Sequence, residues 1–163
     1  MKSLLIVYHT LTGGTEQMAR AAAASAASQA AIAVRVATAA STNADALLEA
    51  SGYLFATPEN LAAMSGIMKD FFDRTYYAVL DRIQGRPYAI AICAGSDGSN
   101  AARQIERIAT GWRLKAVAPP LIVCTHAQTP EEILAPKQIC AAELARCEEL
   151  GATLAAGLEL GIF

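Results

Sequence analysis

The sequence predicts one three-layer α/β domain over residues 1–163, with a five-stranded parallel sheet of order 2-1-3-4-5 and helices on both faces. Three observations predict it. Strand-like and helix-like segments alternate along the whole chain, with no repeat, linker or composition break. Most of the strand-like segments are continuously apolar, the mark of strands covered on both faces. The second instead alternates in polarity, as an edge strand does.

Taken in order, Leu4-Leu5-Ile6-Val7 is the first strand, central and buried. Thr15–Ser28 follows as a small-residue helix whose Met18, Ala22 and Ala26 share one face. Ile32, Val34 and Val36 alternate with Ala33, Arg35 and Ala37, which places the second strand at the sheet edge. Tyr53–Ala56 and Tyr88–Cys93 are the third and fourth strands, both buried. Between them, the helix Ser65–Leu80 carries Met64, Ile67, Met68, Phe71 and Thr75 at helical spacing. Ala101, Ile105, Ile108 and Trp112 form the stripe of the next helix, which makes Trp112 a core residue. Leu121–Cys124 is the fifth strand, begun near Lys115-Ala116-Val117 and interrupted at Pro119-Pro120. Thr129-Pro130-Glu131-Glu132 starts a helix with a capping box and proline at its first position. Pro136 is expected to restart the helix that runs toward Leu158.

Composition narrows the function classes. The chain is 54% hydrophobic, but much of that is alanine, which signals tight helix packing rather than membrane insertion. No apolar run approaches the ~20 residues needed to span a bilayer. The short apolar run at Met1–Val7 lacks a small-residue cleavage site, so a cytoplasmic location is expected. With a net charge of −2 and no basic patch, no nucleic-acid partner is expected, and no membrane partner either. None of Cys93, Cys124, Cys140 and Cys147 forms a C-x-x-C pair, and no metal is expected. Cys140 and Cys147 lie seven apart on a helix, about two turns, too distant for a disulfide.

In an open parallel sheet, ligands bind at the carboxyl ends of the strands, so the loops after strands one, three and four should carry the chemistry. The first, Thr10-Leu11-Thr12-Gly13-Gly14-Thr15, lies directly between a strand and a helix. Its three hydroxyls can donate to a phosphate, its glycines let amide N–H groups turn toward an anion, and the helix adds the positive end of its dipole. The loop has no lysine or arginine, so neutral donors would hold the phosphate. Other phosphate motifs are absent: neither G-x-x-x-x-G-K-[ST] nor G-x-G-x-x-G occurs, and strand two ends in Thr38 rather than an acid. A phospho-acceptor domain would need acids where this chain has Tyr8-His9-Thr10. In the second loop Pro58 biases Thr57 toward extended backbone, and Asn60 tolerates a left-handed turn. Glu59 is its only carboxylate and reads as solvent-facing. In the third, Ala94-Gly95-Ser96-Asp97-Gly98, the glycines permit close backbone approach to a ligand. His9 is a candidate proton donor, although a histidine at a strand end more often packs and hydrogen-bonds. His126 lies further from the site, and Arg103 and Arg107 read as solvated helix residues.

The Thr10–Thr15 segment resembles the [ST]-x-T-G-x-T phosphate fingerprint of flavodoxins and of flavodoxin-like NAD(P)H-dependent FMN and quinone reductases. Thr57-Pro58-Glu59-Asn60 with Met64–Arg74 is similar to their second loop and following helix, and Ala94–Gly98 to their third loop. The resemblance implies FMN as cofactor, held by Thr10, Leu11, Thr12, Gly13, Gly14 and Thr15 at the phosphate. It implies Pro58, Glu59, Asn60, Leu61, Ala94, Gly95, Ser96, Asp97 and Gly98 around the ring. The chain departs from the family at Leu61-Ala62-Ala63, where relatives often carry an aromatic, and in the third loop, which has none.

The resemblance implies an oxidoreductase in which NAD(P)H reduces FMN by hydride transfer and the flavin reduces a quinone, free flavin or similar small acceptor. An electron carrier of flavodoxin type, docking on protein partners, is the alternative; its near-neutral charge and uncovered ring count against it. Assembly as a homo-oligomer is compatible with the resemblance.

Overall fold

In the computed structural model, which describes residues 1–29 and 31–163, the chain runs β1 (Ser3–Tyr8), α1 (Gly14–Gln29), β2 (Ala33–Thr38), α2 (Ala44–Glu49), β3 (Gly52–Asn60) and β4 (Ala63–Met64). It continues through α3 (Gly66–Val79), β5 (Pro87–Ala94), α4 (Ser99–Gly111), β6 (Lys115–Ala116), β7 (Leu121–Cys124), α5 (Pro130–Leu134) and α6 (Ala141–Leu160). The sheet order is β2-β1-β3-β5, and β6 and β7 together fill the last position beside β5. By sheet position this is the expected 2-1-3-4-5 arrangement, with seven strands among the described residues rather than five. The fifth position is split because the intervening Pro119-Pro120 has no N–H to give a ladder. The extra strand, β4, pairs antiparallel with the end of β3. All other pairings are parallel, with Leu4 opposite both Val34 and Gly52.

The two faces of the sheet are packed with different materials. On one, α2, α3 and α4 cover Phe55, which lies 5.2 Å from the Phe72 ring and 6.4 Å from Trp112. Tyr53, Phe71 and Tyr88 complete that aromatic layer, and Trp112 Nε1 donates to the Tyr76 carbonyl at 3.0 Å. On the other, α1 and α6 cover the sheet with alanines, leucines and Met18. Small side chains let those two helices approach closely: a Cβ at Gly151 would collide with the Ala22 carbonyl of α1. The alanine content therefore expresses a thin helical layer.

Two local expectations need correction, and one helix carried no sequence signal. On α3, Ile67 is 44% exposed and Phe72 is buried in its place, because the helix starts at Gly66 behind its Ser65 cap and turns its Met68–Phe72–Val79 side inward. Pro136 does not restart a helix: α6 begins only at Ala141. Helix α2 is too short for a periodic signal; it is set by the Asn43 cap, which accepts from Ala46 N–H, and by Arg86, which donates to the Leu47, Leu48 and Ala50 carbonyls at 2.6–2.9 Å. Among the described residues, no helix is long and apolar enough to cross a membrane.

Because Gly151 meets backbone rather than a flexible side chain, Gly151→Ala should force α1 and α6 apart. It is expected to cost about 1–3 kcal/mol of unfolding free energy in urea titration. Gly66→Ala, where a Cβ meets nothing within 4 Å, should leave stability unchanged or slightly raised.

Candidate functional site

Parallel strands all deliver their carboxyl ends to one edge of the sheet, and there the loops after β1, β3, β5 and β7 enclose a cavity of about 550 Å³. Every residue expected to hold the cofactor lines it except Gly13, Asp97 and Gly98.

The first wall is the Thr10–Thr15 turn. Thr10 Oγ1 accepts from Gly13 N–H at 2.9 Å, and Gly13 takes a left-handed φ of +94°. Gly14 then opens α1, where a Cβ would stand 2.7 Å from Cys93 Sγ, so only glycine lets the helix start this close to β5. The opening N–H groups of a helix have no intrahelical acceptor. Thr15 sits among them, 1% exposed, and its buried Oγ1 has no hydrogen-bond partner. Nearby, Glu16 is paired with Arg20 at 2.8 Å.

The second wall is a hairpin rather than a loose loop. Strand β3 continues through Pro58 to Asn60, the chain reverses at Leu61-Ala62, and Ala63 pairs back with Asn60. Leu61 and Ala62, not Asn60, are the left-handed residues, with φ of 50° and 62°. A two-residue turn with both φ positive is the hairpin form that matches strand twist, but it strains any side chain. Helix α4 braces it: Asn100 Nδ2 donates to the Ala62 carbonyl at 2.6 Å, and Gln104 Oε1 accepts from Met64 N–H at 2.9 Å. Glu59 is not solvent-facing; its Oε2 is buried and unpartnered. Leu61 is fully exposed at the rim.

Asp97 and Gly98 serve the third loop's exit into α4 instead of the cavity. Gly98 caps that helix at φ +87°, and Asp97 Oδ1 accepts from Ser99 N–H at 3.2 Å. Hydrogen bonding from the Ser99 hydroxyl, together with its N–H, holds the Asp97 pKa below its ordinary value. Ala94, Gly95 and Ser96 remain on the lining.

A fourth wall follows β7 and was missed from sequence: Thr125, Ala127, Gln128, Ile133, Leu134 and Lys137 line the cavity, and Cys93 forms its floor. The signal was available in α5, where Ile133 and Leu134 are apolar on a helix that buries nothing. Its capping box at Thr129 forms as expected. Burial pushes the Cys93 thiol up to about 11, against an opposing pull from Lys137.

His9 lies outside the lining and ties two walls together. Its Nδ1 is 2.8 Å from Ser65 Oγ, which also accepts from Met68 N–H, while Ser65 N–H donates to Thr57 Oγ1. With the Thr57 hydroxyl donating to the Pro58 carbonyl at 3.0 Å, the Ser65 hydroxyl is free to donate to a neutral imidazole. Burial lowers the His9 pKa.

Residues 4–129 match the family described as NADPH-dependent FMN reductase. No curated protein matches the chain. Among solved structures, a flavodoxin from the domain Archaea is 21% identical with a TM-score of 0.77, covering 96% of this chain and 98% of that one. Flavodoxin 1 from Bacillus cereus is 18% identical with a TM-score of 0.77, covering 96% and 99%. Rubredoxin oxygen:oxidoreductase from Desulfovibrio gigas is 15% identical with a TM-score of 0.77, covering 99% of this chain and 37% of that one. At these identities the likeness shows the flavodoxin-like fold alone.

The His9 network has a testable pH signature. Folding makes the ring harder to protonate, so the unfolded chain binds the extra proton first as pH falls. The contribution of His9 to stability is whole above the ordinary value of 6.5 and is lost progressively below it. Urea midpoints at about pH 7.5 and about pH 5.5 should show this decline, and His9→Gln should shrink it.

Proposed function

The chain belongs to the NADPH-dependent FMN reductase family, and on that premise we propose that its cavity holds FMN and that it passes electrons from NAD(P)H to a quinone, flavin or similar small acceptor. The observation that carries the reading is Thr15 Oγ1, a hydroxyl buried at the start of α1 with no partner among the described residues beyond the weakly bonding Cys93 thiol beside it. Buried polar groups are nearly always paired, and here the surrounding groups are the unsatisfied N–H donors of a helix N-terminus. A phosphate is the partner that answers all of them at once.

The donor set fits the whole cofactor. The Thr10, Thr12 and Thr15 hydroxyls and the N–H groups of Gly14 and Thr15 at the start of α1 would hold the phosphate. At the ring end, the unpaired Glu59 Oε2 needs a donor, and the imide N–H at the ring edge supplies one. Backbone groups of Pro58–Leu61 and Ala94–Ser96 border the same region. Leu11, Leu61, Ile133 and Leu134 are all exposed and form an aliphatic rim. When bound, FMN supplies two-electron hydride chemistry. The protein's part is to anchor the phosphate, orient the ring between the hairpin and the third loop, and shed water from its aliphatic margin. With no aromatic over the ring, the open mouth leaves room for nicotinamide and acceptor to use one face in turn.

Anaerobic mixing of FMN-loaded protein with NADPH, and separately NADH, tests the reading through loss of flavin absorbance. Bleaching faster than that of free FMN is expected. Bound flavin that neither nucleotide reduces would move the assignment to a carrier supplied by another protein. Thr15→Val, which removes the hydroxyl but keeps the shape, should weaken FMN binding by about tenfold or more in a fluorescence titration.

A further inference from the structure

We propose that Lys137 supplies the fixed positive charge by which this cavity selects a phosphorylated flavin over the unphosphorylated one, an inference that rests on the FMN reading above. The phosphate loop itself has no charge, and among the described residues Lys137 is the only cation on the cavity lining. It arrives from more than a hundred residues away in sequence, yet its side chain packs against the start of α1: its Cβ lies 3.4 Å from where a Cβ on Gly14 would stand.

The position of that charge is fixed from several sides. Lys137 N–H donates to the Thr12 carbonyl at 2.9 Å, inside the phosphate loop. Its carbonyl accepts from Gln17 Nε2 at 2.8 Å, and Gln17 Oε1 accepts from Ile139 N–H at 3.0 Å. These bonds tie down the chain after Pro136, which forms no helix before α6. The ammonium donates to the carbonyls of Glu132, Ile133 and Ala135 at 2.6–2.8 Å, closing the carboxyl end of α5.

Holding the ammonium this way serves an anion twice. The charge is already in place, so no reorganisation accompanies binding. It also neutralises the negative end of α5, the helix whose Ile133 and Leu134 border the same cavity. Its field reaches Cys93 on the cavity floor, whose thiol it pulls down against burial. The nearest acid on α1, Glu16, is offset by Arg20.

A role confined to tethering α5 predicts something different: loss of Lys137 would then weaken both flavins alike through the displaced Ile133-Leu134 wall. Dissociation constants for FMN and for riboflavin, by flavin fluorescence, therefore separate the two. In Lys137→Met the affinity for FMN should fall about tenfold while riboflavin binding changes less than about twofold. Lys137→Gln, which keeps a donor for the α5 carbonyls without the charge, should lose the same preference and covers the case in which the Met variant misfolds. Lys137→Arg should retain it. An FMN-to-riboflavin ratio unchanged in the Met and Gln variants overturns the proposal and leaves the FMN reading intact. Parallel loss of both flavins also overturns it, in favour of the tether. A wild-type protein that binds neither flavin overturns both.

Discussion

The close approach of α1 to the sheet and to α6 sets where its first turn stands, and the cavity is organised around that turn. Two contacts fix the distance. Gly14 lies against Cys93 of β5 at one end, and Ala22 lies against Gly151 of α6 further along. A side chain at either glycine would lift the helix away and carry its unpaired N–H donors with it. The alanines along the same face, Ala19 and Ala26 among others, are fully buried and keep the layer thin over its length. Packing energy on this face is thus spread over many small contacts, and geometry rather than bulk is what the sequence protects there.

The opposite face inverts the arrangement. Phe55, Phe71, Phe72, Tyr53, Tyr88 and Trp112 are stacked between the sheet and α3 and α4, and among the described residues no aromatic lines the cavity. Their rigidity has a use at the site. Helix α4, anchored in that layer by Ile105 and Ala109, presents Asn100 and Gln104 to the strained hairpin. The aromatic core holds Leu61 and Ala62 in place indirectly, through the helix that braces their turn.

What could be read in advance was whatever the chain states locally. The Thr10–Thr15 turn, the alternating polarity of β2 and the Thr129 capping box each depend on neighbours within a few residues, and their geometry follows the residue types. The extension of β3 through Pro58 was hidden because a proline normally ends a ladder, yet here it sits where β3 pairs with Cys93 and then bends into the hairpin. Glu59 and Lys137 were hidden for a different reason. A carboxylate in a polar loop looks hydrated by default, and a lysine between two helices looks solvated. Only the meeting of segments far apart in sequence pins the lysine, and the Glu59 oxygen is shielded only once the loop has folded.

The floor of the cavity has a chemical temperament that follows from its burial. A thiol with a pKa of about 11 carries thiolate on the order of one part in ten thousand at neutral pH. Alkylating reagents and peroxides act on thiolates, so Cys93 is quiet toward both despite lining the cavity. Cys147 shares the same protection within the α1–α6 layer. Cys140, exposed at the start of α6, is the contrast. A thiol reagent applied to the folded protein meets that position first, well before the chemistry at the sheet edge feels it.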